Sequence, residues 1–302
     1  MEVIQITPRG YCHGVVQAIQ IAKQCAKDYP DQPITILGML VHNHYVTEAL
    51  TQLHIHTIDD KTKNRMELLD EIKEGVVIFT AHGIAPAVIQ KAEAKGLICV
   101  DATCPNVRKT QAMVASHLAQ GYDVLYIGKA NHPEAEAICA LSERIHFLEP
   151  NDPLPLISNE KLFVTNQTTM SIFDIEIQLA TIRKRYPKAI ISEEICAATR
   201  MRQEAIVKSS QAKVDVLYVV GDRFSNNSNR LAQIAREHGI ARVFLIDDVH
   251  GIEEHQLAHA QRVAVTAGAS TPTYLSNQVI DYLMHYETNK EKPKTELNLL
   301  LE

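Results

Sequence analysis

The stretch Leu97-Ile98-Cys99-Val100-Asp101-Ala102-Thr103-Cys104-Pro105 decides the fold. Its first four residues are a continuously apolar run of strand length, as in a parallel strand covered on both faces. Asp101-Ala102-Thr103 then forms a short connection. Pro105 stands where a helix begins, because the first-turn N–H it lacks has no partner there in any case, and the helical pattern runs on to Gly121, a stop signal. Cys104 therefore lies between a strand and a helix. Cys12 lies 92 residues before it and Cys196 lies 92 residues after it, each following an apolar run and preceding a helical pattern.

Apolar runs of strand length occur at 3–6, 34–37, 76–79, 97–100, 123–127, 162–164, 189–191, 214–220, 242–246 and 262–265. The helical patterns between them include segments opened by Asn227-Ser228-Asn229, closing at Gly239, and by Ser270-Thr271-Pro272. Polar loops repeat with the cysteines. His42 lies 30 residues after Cys12, His132 lies 28 after Cys104, and Ser225 lies 29 after Cys196; His82, Thr168 and Ser270 follow the same cysteines at 70, 64 and 74. Three copies of one α/β module account for this spacing. The expected organisation is an N-terminal strand at 1–12 leading to the first cysteine, modules at 13–104, 105–195 and 196–285, and a tail at 286–302. Ligands of open parallel sheets bind beyond the carboxyl ends of the strands, so three modules about a shared centre would direct three thiols and six polar loops at one cavity.

The 302 residues, 46% hydrophobic and 22% charged, are those of an ordinary globular chain. A net charge of -6 and the absence of Trp argue against a broad surface or stacking platform for nucleic acid. The N-terminus reads as neither a signal peptide nor a membrane span, which points to the cytoplasm. Six cysteines there are expected to be core residues, ligands or reactive groups rather than disulfides.

Three thiolates at loop positions suit a soft metal centre, zinc or an iron-sulfur cluster, and a 4Fe-4S cluster held by three cysteines keeps one iron open. Cys25, Cys99 and Cys139 lack the loop context and read as core, with Cys99 in the middle of a buried strand. Among fourteen histidines, His42, His82 and His132 stand apart in loops after strands, in Val41-His42-Asn43, Ala81-His82-Gly83 and Asn131-His132-Pro133. No P-loop or G-x-G-x-x-G is present. Ser225-Asn226-Asn227-Ser228-Asn229 and Gly268-Ala269-Ser270 instead offer helix-start donors, suited to phosphate and equally to plain capping. Together with the histidines they describe a diphosphate pocket. Glu134 is the carboxylate placed to donate a proton, Glu136 suits simple first-turn electrostatics, and Thr168 is placed to relay a proton or orient a hydroxyl.

These motifs resemble the LytB family of 4-hydroxy-3-methylbut-2-enyl diphosphate reductases. The match runs in order from Arg9-Gly10-Tyr11-Cys12-His13-Gly14-Val15 through Val41-His42-Asn43, Ala81-His82-Gly83, Asp101-Ala102-Thr103-Cys104-Pro105, His132-Pro133-Glu134, Gln167-Thr168-Thr169, Ile195-Cys196-Ala197-Ala198-Thr199 and Ser225-Asn226-Asn227-Ser228-Asn229-Arg230 to Gly268-Ala269-Ser270. The resemblance implies a trefoil of three α/β modules around a 4Fe-4S cluster ligated by Cys12, Cys104 and Cys196. It implies diphosphate contacts from His42, His82, His132, Ser225, Asn227 and Ser270, with Thr168 near the reacting hydroxyl, Glu134 as proton source, and the hydroxyl held at the open iron. The family reaction removes the hydroxyl of an allylic diphosphate reductively, giving isopentenyl and dimethylallyl diphosphates, with electrons from a ferredoxin, a flavodoxin or a similar donor. Asn226 departs from the common Ser-Ser-Asn-Ser pattern, and Ala137 stands where Gly is common. Two other readings remain on the sequence: a zinc-dependent phosphoester hydrolase and a non-enzymatic iron-sulfur sensor. Residues 287–302 match no motif and are expected to be mobile or an accessory packing segment.

Overall fold

The computed structural model describes residues 1–301. Twelve strands among them form three four-stranded, wholly parallel sheets. One contains β2 (Ile34–Leu37), β3 (Ile55–Ile58), β4 (Val76–Phe79) and β5 (Ile98–Asp101) in the order β3-β2-β4-β5. A second contains β6 (Asp123–Ile127), β7 (Ile145–Leu148), β8 (Leu162–Asn166) and β9 (Ile190–Ile191) in the order β7-β6-β8-β9. The third joins β10 (Val216–Val220), β11 (Arg242–Ile246) and β12 (Arg262–Ala267) to the N-terminal strand β1 (Glu2–Gln5), in the order β1-β12-β10-β11. All three sheets thus share one winding: second strand, first, third, fourth. In the last sheet the fourth strand comes from the start of the chain, with Val3 opposite Val263 and Ile4 opposite Ala264.

The chain forms two compact units. The first comprises Met1–Val16, Val41–Leu53 and everything from Ala197 onward; the second comprises Gln17–Leu40 and His54–Cys196. In the first, β10 is buried at every residue, as a central parallel strand must be. Its core includes Val216, Tyr218 and Val220 with Leu275, Val279 and Leu283 of α10 (Thr273–Met284), and Ala49 of α2 (His44–Thr51) joins it. In the second, β4 and β8 are equally buried.

The sequence reading missed β3 and β7, both edge strands, and placed Cys99 in a buried strand. β5 is instead an edge strand, paired only with β4, and Cys99 is half-buried. Cys139, which ends α6 (Pro133–Cys139), is half-buried as well, with burial raising its thiol pKa to about 11. The core reading holds fully for Cys25, which is 3% exposed in α1 (His13–Asp28). The tail is an accessory packing segment: Leu300 is fully buried in the core of the first unit, its carbonyl accepts from the Tyr11 hydroxyl at 2.6 Å, and Gln278 donates to the Lys294 carbonyl at 2.9 Å. Among the described residues no helix is long and apolar enough to cross a membrane.

Candidate active site

In the first unit, three loops meet at the carboxyl end of the third sheet. Ser225 caps α9 (Asn226–Glu237), its hydroxyl accepting from the Ser228 N–H at 3.3 Å. A hydroxyl that accepts there keeps its own proton to donate. Ser270, between β12 and α10, donates to the His42 carbonyl at 2.9 Å and lies 3.5 Å from the Ser225 hydroxyl. His42 itself lies between β2 and α2, whose cap is Asn43. Gly268 allows this closeness, since a Cβ there would run into the Ser228 side chain. The first turn of α9 carries an unusual polar load. Both amide atoms of Asn227 and the hydroxyl of Ser228 are buried with no hydrogen-bond partner. Orphaned buried polar atoms cost about 1–3 kcal/mol each; the Asn227 amide nitrogen and the Ser228 hydroxyl are donors that acceptor oxygens would satisfy, whereas Asn227 Oδ1 needs a donor. The helix dipole favours a ligand with negative charge.

In the second unit, Glu134 lies in the first turn of α6 and is 2% exposed. Burial pushes its pKa up to about 7, against the opposing effect of the Thr168 N–H at 2.8 Å and the Thr168 hydroxyl at 2.9 Å. Tyr126, fully buried in β6, turns its hydroxyl toward the same carboxylate, also lowering the pKa, without completing a well-formed hydrogen bond. His132 caps α6, and its Nδ1 accepts from the Glu134 N–H at 3.1 Å. In the neutral ring the proton must then be on Nε2, which makes the outer nitrogen a donor. The rings of His82 and His132 meet edge to face at 5.6 Å, and His82 Nδ1 lies 3.3 Å from the Thr80 hydroxyl. Thus two imidazoles, a threonine and a protonatable carboxyl belong to one group. Glu136 is exposed in the first turn, as expected for a residue serving the helix dipole.

The three spaced cysteines share one local geometry. Cys12 donates its N–H to Ala269, Cys104 to Ala81 and Cys196 to Thr168, at 2.9, 3.0 and 3.1 Å. Each is therefore tied by its main chain to a loop that leaves a strand, directly beside Ser270, beside His82 and at Thr168. Cys12 precedes α1, Cys104 caps α5 (Pro105–Ala119) and Cys196 precedes α8 (Ala197–Ser210). Gly10 lets the chain turn into Cys12 at φ 77°, where a Cβ would strike Thr273. All three cysteines are half-buried and none is in a disulfide. Half-exposed thiols in loops at helix starts are a soft donor set of the kind that holds an iron-sulfur group. Among the described residues no three His, Cys, Asp or Glu side chains are grouped as a single ion would require.

The family model described as LytB protein matches residues 3–284. The chain belongs to the LytB family. Curated LytB relatives cover almost the whole chain. The 4-hydroxy-3-methylbut-2-enyl diphosphate reductase of Geobacillus thermodenitrificans is 48% identical over 96% of this chain and 92% of its own length. That of Symbiobacterium thermophilum is 45% identical over 97% of this chain and 100% of its own. Among solved structures, the E-1-hydroxy-2-methyl-but-2-enyl-4-diphosphate reductase of Plasmodium falciparum superposes with a TM-score of 0.87 at 28% identity, covering 99% of this chain and 96% of that one. A structure of (E)-4-hydroxy-3-methyl-but-2-enyl diphosphate reductase, described as the terminal enzyme of the non-mevalonate pathway, matches with a TM-score of 0.65 at 27% identity, covering 94% of this chain and 100% of that one.

Sequence reasoning overlooked three polar residues of this LytB chain. Tyr126 was hidden in the apolar run Val124-Leu125-Tyr126-Ile127, and its hydroxyl matters only because Glu134 lies beside it. Ser228, read as a helix opener, is a buried orphan in the first turn. Asp222, 3% exposed, joins the α2 and α9 loops through two hydrogen-bonded side-chain oxygens. Its place beyond the apolar run 214–220, after Gly221, carried no sign of that bonding.

Proposed function

We propose that this chain reduces (E)-4-hydroxy-3-methylbut-2-enyl diphosphate to isopentenyl and dimethylallyl diphosphates, the closing step of a non-mevalonate route to isoprenoids, in the cytoplasm. The observation that carries the reading is the identity of nearly half of all positions, across almost the entire chain, with reductases so named. The buried acid Glu134 and the orphaned donors of α9 support it, since the reaction needs a proton source and a diphosphate anchor.

We assign Cys12, Cys104 and Cys196 as the three protein ligands of a 4Fe-4S cluster whose fourth iron has no protein ligand. When bound, the cluster supplies electrons and Lewis acidity, and a ferredoxin- or flavodoxin-like donor reloads it. The chemistry balances as follows. The allylic C–O bond breaks, two electrons enter, one proton converts the departing oxygen to water, and a second proton adds to either end of the allyl group, which gives the two products. Glu134 gives the proton to the oxygen, and Thr168, which hydrogen-bonds that carboxyl, orients the reacting hydroxyl and relays the proton. We assign His42, His82, His132, Ser225, Asn227 and Ser270 to the diphosphate, far from the breaking bond, where binding energy is used to orient the substrate.

The test is anaerobic purification with iron and sulfide quantitation, followed by product analysis with the allylic diphosphate and a chemical reductant. Replacing Cys12, Cys104 or Cys196 by Ser lowers the iron content, whereas Cys99→Ala leaves it unchanged. Full iron content in one of the serine variants removes that residue from the ligand set. A preparation that holds zinc and no iron, or a cluster-bearing protein inert toward the diphosphate, overturns the reading in favour of a hydrolase or a sensor.

A further inference from the structure

Within the first unit, the loops around Ser225, Ser270 and His42 are built for an anion, yet a buried carboxylate lies among them. Asp222, two residues beyond β10, is 3% exposed. Its Oδ2 accepts from the main-chain N–H of His44 at 3.0 Å and lies 3.1 Å from His44 Nδ1; its Oδ1 accepts from the Phe224 N–H at 2.8 Å. Its own carbonyl accepts from the Ser225 N–H at 2.9 Å. One residue therefore fixes the start of α2 against the loop that leads into α9.

An unopposed carboxylate here would repel the very ligand that the orphaned Asn227 and Ser228 groups call for. His44 is the local counter-charge. Its imidazole is half-exposed and lies at 4.2 Å from the Tyr45 ring. The charged groups facing it are Asp222 from the β10–α9 loop, Asp247 after β11 and Glu48 on its own helix, all acidic. Arg223 acts on Asp247, and Asp248 is taken up by the Tyr45 hydroxyl. We propose that His44 and Asp222 form a charge clamp that positions the α2 and α9 loops and makes their grip on a diphosphate depend on the protonation of His44.

The inference rests on the assignment of Ser225, Asn227 and Ser270 to the diphosphate. The sign follows from the partners. The Asp222 hydrogen bond raises the pKa of His44 above its ordinary value, while Asp222 is held at about 2 by hydrogen bonds from His44 and Phe224 that outweigh its burial. Below the folded pKa of His44 the pair is neutral and the anion meets no net repulsion from it. As pH rises through that value the neutral ring still donates from Nδ1, so the loops keep their geometry, but Asp222 loses its counter-charge, while Asp247 keeps Arg223.

The experiment uses the anaerobically purified holoprotein and inorganic pyrophosphate as probe, with calorimetric titration from pH 6 to 8.5. His44→Gln keeps a donor and removes the charge, whereas His44→Lys keeps the charge at every pH tested. At pH 6 His44→Gln binds pyrophosphate about five- to tenfold more weakly than wild type, with a shallower pH profile; at pH 8.5 His44→Lys binds it more tightly than wild type by a similar factor, about what one lost counter-charge is worth. Other histidines and the probe titrate alike in all three proteins, so the differences isolate His44. Wild-type affinity in His44→Gln at pH 6, or a His44→Lys profile that tracks wild type, overturns the clamp. If His44→Gln fails to fold, the His44→Lys comparison at pH 8.5 still decides. Ser225→Ala separates the two levels: weakened binding there beside unaffected His44 variants removes the clamp alone, while wild-type binding in Ser225→Ala removes the diphosphate assignment beneath it.

Discussion

Glu134 shows how one buried carboxyl couples stability to chemistry. Its folded pKa, about 7, lies above that of an exposed glutamate because burial penalises the charged form more than Thr168 and Tyr126 stabilise it. Such a group favours the folded state most at low pH. Its contribution is lost as pH rises from the ordinary glutamate range, about 4.3, through the folded value. Glu134→Gln, which cannot ionise, should abolish product formation while keeping the iron, and its unfolding free energy should fall less than that of wild type between pH 4.5 and pH 7.5. Denaturant titrations at the two pH values, with product analysis, check both; near-normal turnover in Glu134→Gln removes the proton-donor role. At this scale the sequence singled out Glu134, Thr168 and the loop histidines, and the structure shows Thr168 bonding Glu134 and His82 against His132. It could not show Tyr126 or the doubly bonded Asp222, because their polar atoms acquire meaning only from the side chains that folding brings beside them.

Helix starts carry much of the site, and capping and ligand binding compete for the same residues. His132 caps α6 through its Nδ1, which satisfies the Glu134 N–H, and is also proposed for the diphosphate. His132→Asn preserves the cap, since Asn is among the best capping residues, and should keep thermal stability within about 0.5 kcal/mol of wild type while weakening pyrophosphate binding. His132→Ala should cost about 1 kcal/mol as well. Equal stability in the two variants, measured by denaturant titration, would show that the cap contributes nothing. The central strands were legible as continuous apolar runs because both of their faces are covered. The edge strands β3, Ile55-His56-Thr57-Ile58, and β7, Ile145-His146-Phe147-Leu148, were not. The histidines of both and the threonine of β3 break up the apolar signal, which the other edge strands, β1, β5, β9 and β11, keep.

Over the whole molecule, the repeat of 92 residues announced three equivalent sheets, and their common strand order agrees with it. The role of the C-terminal tail lay outside that repeat and outside the stretch shared with the LytB family, so nothing in the motifs described it. Its leucines are nevertheless part of a core: Leu300 is fully buried and Leu297 and Leu301 pack against the same cluster. Leu300→Ala should therefore cost about 2–5 kcal/mol, read as a lower urea midpoint, whereas truncating the exposed Leu156, 79% accessible, should be nearly neutral.

The pairing of β1 with β12 has a temporal side. A ribosome releases β1 early, yet the partner strand Arg262–Ala267 and the Ala269 carbonyl that receives the Cys12 N–H emerge only after both other sheets have been made. Until then Cys12, in the loop after β1, lacks that partner, while the sheets that precede Cys104 and Cys196 have all their strands available. The ligand set proposed for the cluster is thereby complete only once residues 262–269 have been made, so a chain truncated before them lacks one of its three proposed supports.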